Sequence, residues 1–368
     1  MRKILTFAAL VAVAVTACNK LPVENMRPAA PKGEPTNVSF NIMGAAAPTR
    51  ATEAGITAEN TVNTVDVFVF FNGGDYDGQL DAYGHFTATT GTVKATTGAR
   101  SIYAVVNSEY AESVLDTVTT LAGFRSMVAT LGSQKKGASA PYTLDNFTMI
   151  GSADQTLAAG DNAVTVYVDR VAARIRVKKI SRDFESAALA DQTFIVTDMY
   201  VSNAVVKDLY SLTYTPVVAD FVNQRGVLSS PEDHALWLHR AGLNRTIADD
   251  ASWDSSDSAN YLYTFPNSIS TEINGTDGDF AVQCSKLIVK ATLNGDVMYY
   301  AIPLPALVKN YSYDIEELVI TRRGTADPNE KVEVANVNYT ITVNPWTLAP
   351  IETENGGEAG DAGSKYVI

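Results

Sequence analysis

The most informative stretch of this chain reads Asn37-Val-Ser-Phe-Asn-Ile-Met-Gly-Ala-Ala-Ala-Pro-Thr-Arg-Ala51. In its first half the apolar residues Val38, Phe40 and Ile42 alternate with Ser, Asn and Met. Successive side chains of a β-strand point to opposite sides, so this alternation places the three apolar side chains on one face. The pattern therefore predicts a first strand with one buried face.

The second half of the stretch predicts a loop that a protease can cut. After the strand come small residues, Pro48 and then Arg50, which is followed by Ala51. Loops of small and polar residues are where proteolytic nicking concentrates. A strand tied to the body by such a loop can leave the fold, so residues 37–50 are predicted to be a removable first strand.

The residues ahead of this strand have the features of a lipoprotein leader. Two basic residues at the start are followed by an apolar run that is too short to span a membrane. The run ends in Val15-Thr-Ala-Cys18, which resembles a bacterial lipobox. Residues 1–17 are therefore predicted to be a lipoprotein signal peptide, with Cys18 as the lipidated residue. The alternative is ordinary signal cleavage near Ala17 beside an incidental cysteine.

The segment between the leader and the first strand is predicted to be a tether. Residues 18–36 are rich in proline and polar residues, a composition typical of disordered linkers. No second long apolar run follows in the sequence. The sequence therefore predicts attachment to the outer membrane through the lipid on Cys18 alone.

Length and composition favour a mainly β protein of two domains. The chain has 368 residues, which is long for a single core, and only 19% of them are charged. Thr, Val and Tyr, which favour strands, are frequent. The net charge of −13 argues against a nucleic-acid partner, because neutralising phosphates requires clustered Lys and Arg.

Apolar periodicity predicts strands along most of the body. Residues 61–71 are apolar on both faces, as expected for a central sandwich strand. Residues 109–131 instead show helical spacing with a break at Gly123. An Asn294-Gly295 turn predicts a hairpin. The other predicted strands are residues 101–107, 147–150, 163–168, 194–206, 209–218, 261–267, 285–293, 297–302, 311–321 and 337–343.

Residues 169–180 predict an amphipathic strand with a basic outer face. Ile175 and Val177 alternate there with Arg174, Arg176 and Lys178. On an acidic chain this basic face is interpreted as solvated or as part of an interface, and not as a nucleic-acid surface.

The two cysteines predict neither a disulfide framework nor a catalytic thiol. Cys18 belongs to the leader, and Cys284 lies in an apolar run where a small buried strand residue is expected. A reactive thiol needs a basic partner, and the sequence places none beside Cys284. No nucleophile–base pair or paired carboxylates stand out either, so no catalytic residue is predicted and the protein is not expected to be an enzyme.

Two weak metal patterns are interpreted as structural. The Asp-rich turn around Gly78 resembles a calcium loop but lacks the flanking helices and closing Glu of an EF-hand, so a hairpin turn is favoured. His234 and His239 have no third ligand at a suitable spacing, which argues against zinc. No metal and no cofactor are predicted.

The order of features is similar to that of the Bacteroidales fimbrillins, the subunits of type V pili. The resemblance spans nearly the whole chain, although each motif is short. Its points are the lipobox at Cys18, the first strand before Arg50, Arg170-Val-Ala-Ala-Arg-Ile-Arg-Val177, Tyr263-Thr-Phe-Pro-Asn267, Asn310-Tyr-Ser-Tyr313 and Pro345-Trp346.

This resemblance implies a fold and a life cycle. The fold would be two β-sandwich-like (transthyretin-like) domains, residues 37–182 and 183–349, with one or two short helices in the first. The chain would be exported as an outer-membrane lipoprotein and cut by an Arg-specific protease at Arg50. Its partners would be other fimbrial subunits, in a homo- or heteropolymer on the cell surface, and a receptor on a host or bacterial surface.

Strand exchange also follows from the physics of a missing strand. Losing Val38, Phe40 and Ile42 would expose an apolar trough and unpaired backbone groups, which a strand from another subunit restores. The acid- and glycine-rich tail, residues 350–368, ends in Tyr366-Val367-Ile368, which is a candidate donor strand.

Other functions for the same leader and fold remain open at this point. The chain could serve as a fimbrial stalk subunit, or as a non-polymerising anchor or tip protein. It could also be a surface lipoprotein that binds glycans through exposed aromatic residues such as Trp237, Trp253 and Tyr261, although core packing is the simpler interpretation of those three residues. A hydrolase is the least supported class, because no catalytic group is found.

Overall fold

A computed structural model describes most of the chain after the predicted leader. The described residues are 32–44, 53–135, 144–211, 213–228, 235–270, 283–330 and 336–347. Several predicted features therefore lie outside the described residues. They are the signal peptide, Cys18, Arg50, Ala51, His234 and the tail residues Tyr366, Val367 and Ile368.

Strands dominate the described residues, which confirms the mainly β prediction. In chain order they are β1 (Pro35–Gly44), β2 (Glu53–Ala54), β3 (Val65–Phe71), β4 (Leu80–Phe86), β5 (Thr90–Thr96), β6 (Gly98–Val106), β7 (Val128–Thr130), β8 (Met149–Leu157), β9 (Asp161–Arg170), β10 (Ala173–Val177), β11 (Lys179–Arg182), β12 (Phe194–Ser202), β13 (Ala204–Val205), β14 (Lys207–Leu209), β15 (Phe221–Val222), β16 (His239–Arg240), β17 (Arg245–Thr246), β18 (Ala251–Asp254), β19 (Leu262–Thr264), β20 (Lys286–Leu293), β21 (Asp296–Pro303), β22 (Tyr311–Ile320) and β23 (Val337–Thr347).

The helices of the described residues are short. They are α1 (Glu112–Leu115), α2 (Leu121–Arg125), α3 (Ala187–Ala190) and α4 (Ala235–Leu238). The predicted helical segment does split in two, but the break was placed wrongly, since Gly123 lies inside α2. The side chain of Thr120 accepts a hydrogen bond from the Gly123 amide and so caps the second helix. Within the part of the chain that is described, no helix has the length and apolarity needed to cross a membrane.

The first large sheet is built entirely from strands before Val171. Its order is β4-β3-β6-β8-β9-β1-β5. Every residue of β3 is buried, as the apolarity of both its faces predicts. The first strand of the chain is therefore an inner strand, with β9 on one side and the edge strand β5 on the other.

The second large sheet joins the middle of the chain to its last described strand. Its order is β18-β11-β22-β10-β19, and β23 lies on β22 and also pairs with β2. The change from the first sheet to this one falls at Val171 and Ala172, before the predicted boundary between residues 182 and 183. The division into two domains remains a prediction, because residues from Lys32 onward group into a single compact unit.

The third large sheet belongs to the second half. Its order is β16-β12-β20-β21, and β17 also pairs with β12. The strands β20 and β21 form the predicted hairpin, with Asn294 at φ 51° and Gly295 at φ 94° in the turn. Positive φ at both positions is what a tight two-residue hairpin turn requires. The strand predicted at residues 209–218 was wrong, because only the end of β14 reaches that segment.

Candidate functional site

The strand β1 is held by continuous backbone pairing on both sides. It runs antiparallel to β5 from Pro35–Thr96 to Asn41–Thr90, and parallel to β9 from Asn37–Asp161 to Gly44–Val168. Its exposed and buried residues alternate along the length from Pro35 to Met43. The predicted alternation of the first strand is therefore confirmed.

The three apolar residues of the predicted removable strand fill the core of the first sheet. Val38 is 0% exposed, Phe40 3% and Ile42 1%. The ring of Phe40 packs edge-on against Phe86, with centroids 4.7 Å apart and planes at 65°. A contact of this kind adds to the stabilisation from burial alone. The strand therefore contributes a full row of core side chains.

The partner strand β5 leaves room for the Phe40 ring. Gly91 is the residue paired with Phe40 in the β1–β5 register. A Cβ atom added at Gly91 would lie 2.8 Å from Cζ of Phe40 and 2.8 Å from Cε1 of Phe86. Such distances are too short for real carbon contacts, so this position must remain glycine for both rings to fit.

We expect Gly91→Ala to lower the free energy of unfolding by about 1–3 kcal/mol, because the new methyl group overpacks the site of the Phe40 ring. Urea unfolding monitored by fluorescence measures the change. Thr92→Ala, at the next position on the exposed face of the same strand, is the control and should change stability by less than about 0.5 kcal/mol. Equal effects of the two substitutions would contradict the packing argument.

After β1, the next described residues belong to a different sheet. The short strand β2 pairs in parallel with β23, Glu53 opposite Trp346. A 3-10 turn, Thr57–Asn60, follows it directly. The predicted cleavage residues, Arg50 and Ala51, therefore lie between a strand that completes the first sheet and one that is attached to the second.

The turn after β2 is fixed by a buried carboxylate, Glu59, which is fully buried. Its Oε2 accepts hydrogen bonds from Nη1 of Arg174 (2.8 Å), from Nε1 of Trp346 (3.2 Å) and from the backbone N–H of Ile56 (2.8 Å). Its Oε1 accepts one from the hydroxyl of Tyr263 (2.7 Å). Four donors around one carboxylate compensate for the loss of its hydration.

This arrangement corrects the prediction of a uniformly basic outer face on residues 169–180. Arg174 is 0% exposed and forms a buried ion pair with Glu59, whereas Arg176 and Lys178 keep some exposure and reach Asp314. The strand β10 is paired on both edges, with β22 and β19, and four of its five residues are buried. The alternation of apolar and basic residues predicted the strand correctly, but it wrongly placed the side chain of Arg174 on an exposed face.

A second buried arginine closes the same cluster. Arg170 donates from Nη1 to the carbonyl of Trp346 (2.9 Å) and to Oδ1 of Asn310 (3.1 Å), and its guanidinium lies 4.3 Å from the centroid of the Trp346 ring. It also donates to Asn60 and to the carbonyl of Glu59. Burial lowers the pKa of Arg170 to about 9, so this side chain remains a cation at neutral pH.

The tyrosine in the cluster is held in its neutral form. Burial raises the pKa of Tyr263 well above its usual range, and the neighbouring Glu59 carboxylate raises it further. Tyr263 therefore keeps its proton and donates a hydrogen bond to Glu59. We call the set Glu59, Arg170, Arg174, Tyr263 and Trp346 the Glu59 cluster.

The Glu59 cluster brings together residues from motifs that lie far apart in the sequence. The motifs quoted above for the fimbrillin resemblance include Arg170, Arg174, Tyr263, Asn310 and Trp346. All five residues lie in or against the cluster. Sequence reasoning missed Glu59 itself, because it stands in a polar stretch with no periodicity and its partners are far away in the chain.

Most of the residues that were considered for binding a glycan or a metal are buried or in contact with other residues of the protein. Trp237 and Tyr261 are only 3% and 6% exposed, so they are not free stacking platforms, and Trp253 is half-buried with Arg245 over its ring. Cys284 is buried, as predicted. His239 contacts Asp198 (3.2 Å). The described residues contain no group of three His, Cys, Asp or Glu that could hold a metal ion.

The part of the chain that contains β1 matches a known protein family. Residues 36–186 match the family described as major fimbrial subunit protein (FimA). The fimbrillin resemblance is confirmed. The match begins within β1 and includes the whole first sheet apart from Pro35. No curated protein matches the sequence.

Solved structures show that the fimbrillin-like fold extends over most of the chain. A proposed cell adhesion protein from Parabacteroides distasonis is similar with a TM-score of 0.60 at 17% identity, covering 88% of this chain and 99% of that one. A fimbrilin (FimA) from Porphyromonas gingivalis has a TM-score of 0.57 at 14% identity, covering 85% and 98%. The tip fimbrial protein Mfa3 from the same organism has a TM-score of 0.50 at 14% identity, covering 85% and 100%. The chain has the fold of fimbrial subunits.

Proposed function

We propose that this protein is a structural subunit of a cell-surface fimbria that polymerises by strand exchange and serves adhesion. The observation that carries the proposal is the placement of β1. It is an inner strand with three buried apolar residues, and it is followed by the segment that contains Arg50. Cleavage there would free a complete structural element while leaving its two neighbours in place.

The energetic reason for polymerisation is the groove that β1 would leave. On one side β5 would lose its pairing from Thr90 to Thr96, and on the other β9 would lose its pairing from Asp161 to Val168. Unpaired strand edges and an exposed apolar trough are both unfavourable in water. A strand from another subunit would restore both, and head-to-tail donation of this kind produces filaments.

The Glu59 cluster supports cleavage before Ala51, because it would keep the new N-terminal segment attached. Once β1 has left, the strand β2 and the turn Thr57–Asn60 would still be held by β23 and by the three hydrogen bonds that Arg174, Tyr263 and Trp346 donate to Glu59. The cut would therefore remove one strand without loosening the rest of the body.

The route to the surface follows from the leader. In this proposal the precursor is exported as a lipoprotein, held at the outer membrane by the lipid on Cys18, and released by an Arg-specific protease that cuts at Arg50. Other fimbrial subunits would be the partners, with the tail residues Tyr366, Val367 and Ile368 as one candidate donor. A receptor on a host or bacterial surface would complete the adhesive role.

The proposal is tested with the soluble protein lacking residues 1–18, treated with an Arg-specific protease. We expect a cut that leaves Ala51 as the new N-terminus, seen by mass spectrometry, and SDS-resistant oligomers on gels and by gel filtration. Arg50→Ala should abolish both results, whereas Arg27→Ala in the tether should change neither. If the protease does not cut at Arg50, removal of β1 is overturned. A cut product that stays monomeric at every concentration would overturn polymerisation by this chain alone and favour a heteropolymer subunit, an anchor, a tip or a glycan-binding protein.

A further inference from the structure

A compact polar cluster holds the segment just ahead of β1. It consists of Asp81, Thr96 and Arg100, which we call the entry clamp. Nε of Arg100 donates to Oδ2 of Asp81 (2.8 Å), and Nη2 of Arg100 donates to Oγ1 of Thr96 (2.6 Å). The side chains of Arg100 and Asp81 are only 3% and 5% exposed. These bonds hold the three side chains of the clamp to one another.

The entry clamp binds the backbone of the segment before the strand. The carbonyl of Lys32 accepts from Oγ1 of Thr96 (2.7 Å) and from Nη2 of Arg100 (3.1 Å). Beside it, Glu34 and Thr97 exchange two bonds: the Thr97 N–H donates to the Glu34 carbonyl, and the Glu34 N–H donates to the Thr97 hydroxyl. The β1 segment is thus bound well before its first buried residue.

The side chain at position 32 is also recognised. Nζ of Lys32 lies 5.8 Å from the ring centroid of Phe71 and 5.2 Å from that of Tyr76. A cation near the faces of aromatic rings is attracted by their electron density. The guanidinium carbon of Arg100 lies 4.0 Å from the centroid of the Phe71 ring. The space beside this guanidinium, where the Lys32 side chain lies, is bounded by the two aromatic rings and suits a long basic side chain.

The next position accepts only glycine. Gly33 has φ +106°, a conformation that side chains rarely adopt. A Cβ atom there would collide with the carbonyl oxygen of Thr97 and would lie 2.9 Å from its hydroxyl oxygen. Thr97 is the single residue between β5 and β6, and its carbonyl accepts a hydrogen bond from Nη2 of Arg100 (3.0 Å). It also exchanges two bonds with Glu34, so its backbone cannot move aside without breaking them.

We propose that the entry clamp is a specificity site for the donor strand. When a donor strand takes the place of β1, with one of its residues at the position of Val38, the clamp selects a strand that has a basic residue at the position of Lys32 and a glycine at the position of Gly33. This inference rests on the proposed strand exchange and adds to it the chemistry of the partner. It also sets direction: because the clamp lies at the N-terminal end of β1, a strand that fills it must run as β1 does, parallel to β9.

The clamp further indicates that the tail of this chain is not its preferred occupant. The tail of this chain ends in Ser364-Lys-Tyr-Val-Ile368, where Lys365 is followed by Tyr366 and not by glycine. A tail of this sequence could pair with the groove but would leave the clamp unfilled. A donor with the basic–glycine pair is expected to compete successfully against it.

The test replaces residues 45–50 with the site of a highly specific protease, so that a single cut frees β1 from the full mature chain. A fluorescent peptide of residues 30–44 is then exchanged into the cut protein and followed by anisotropy. The variant peptides are Gly33→Ala, Lys32→Ala and Lys32→Arg, with Ser39→Ala, on the exposed face of the strand, as the control. All substitutions lie in the peptide, so the folding of the protein is the same in every comparison.

We expect the unchanged peptide to bind, and Gly33→Ala to weaken binding by about tenfold or more, because it forces strain and a backbone collision. Lys32→Ala should weaken it by about two- to fivefold, the size of a cation–π contact at an exposed site. Lys32→Arg and Ser39→Ala should bind like the unchanged peptide. A tail peptide, residues 354–368, should bind more weakly than all of these.

Two results would overturn the proposal. The first leaves the proposed strand exchange intact, and the second excludes it as well. If the unchanged peptide binds and Gly33→Ala and Lys32→Ala bind equally well, the groove accepts strands but the clamp does not select them. If no peptide enters after a complete cut, the groove does not exchange strands, and the proposed function fails together with the clamp.

Discussion

Glu59→Ala is expected to lower the free energy of unfolding by about 3–5 kcal/mol, because it leaves the Arg174 guanidinium buried without its countercharge. Arg174 is fully buried, and its ion pair with Glu59 has an N–O distance of 2.8 Å. The substitution also removes the acceptor for Tyr263 and for the indole N–H of Trp346. Urea unfolding at pH 7, followed by tryptophan fluorescence, measures the loss.

The matched control for this substitution is Glu185→Ala, which removes the same charge from an exposed pair. Glu185 and Arg322 are 54% and 49% exposed, with an N–O distance of 2.7 Å. Pairs of this kind contribute about 0–1 kcal/mol. If Glu59→Ala is as mild as Glu185→Ala, the cluster does not anchor the segment after the cleavage loop, and that support for the proposed function is lost.

Phe40→Ala is expected to cost about 3–5 kcal/mol, because it empties the largest buried position of β1. The Phe40 side chain packs against the ring of Phe86 and lies opposite Gly91, so its removal leaves a cavity beside a residue that has no side chain to fill it. Hydrogen exchange should show the β1 amides exchanging faster than those of β3. The same substitution should make the strand leave more readily once the loop is cut.

Asn41→Ala, the adjacent residue on the exposed face, is the control for Phe40→Ala. Its side chain points away from the core, so we expect a change of less than about 0.5 kcal/mol. If the two variants unfold at the same urea concentration, the apolar row of β1 is not a core element, and its removal would not create a groove that needs filling.

The sequence was most informative where structure depends on local pattern. The alternation of Val38, Phe40 and Ile42 identified β1 and its buried face, because a strand has a side-chain period of two wherever it lies. The turn at Asn294-Gly295 identified a hairpin, because its positive φ angles are set by two adjacent residues. Neither inference needs knowledge of the neighbouring elements.

The Glu59 cluster could not be predicted in the same way. Alternation in residues 173–177 placed Arg174 on one face of a strand, but it carries no information on whether another element covers that face. Glu59 and Tyr263 are separated by 204 positions in the chain, and their hydrogen bond exists only after the sheets have formed. A buried ionic group therefore looks like a surface group in the sequence.

The pairing of β1 with β9 also decides the order of events while the chain is being made. Asn37 bonds to Asp161, which follows it by 124 positions, so β1 can pair with β5 first but its other edge must wait until β9 appears. Contacts this distant form slowly, since a long loop has to close before they contribute. The earliest strand in the sequence is thus among the last to be paired on both edges, and the groove that a donor strand would fill is completed only when β9 joins the sheet.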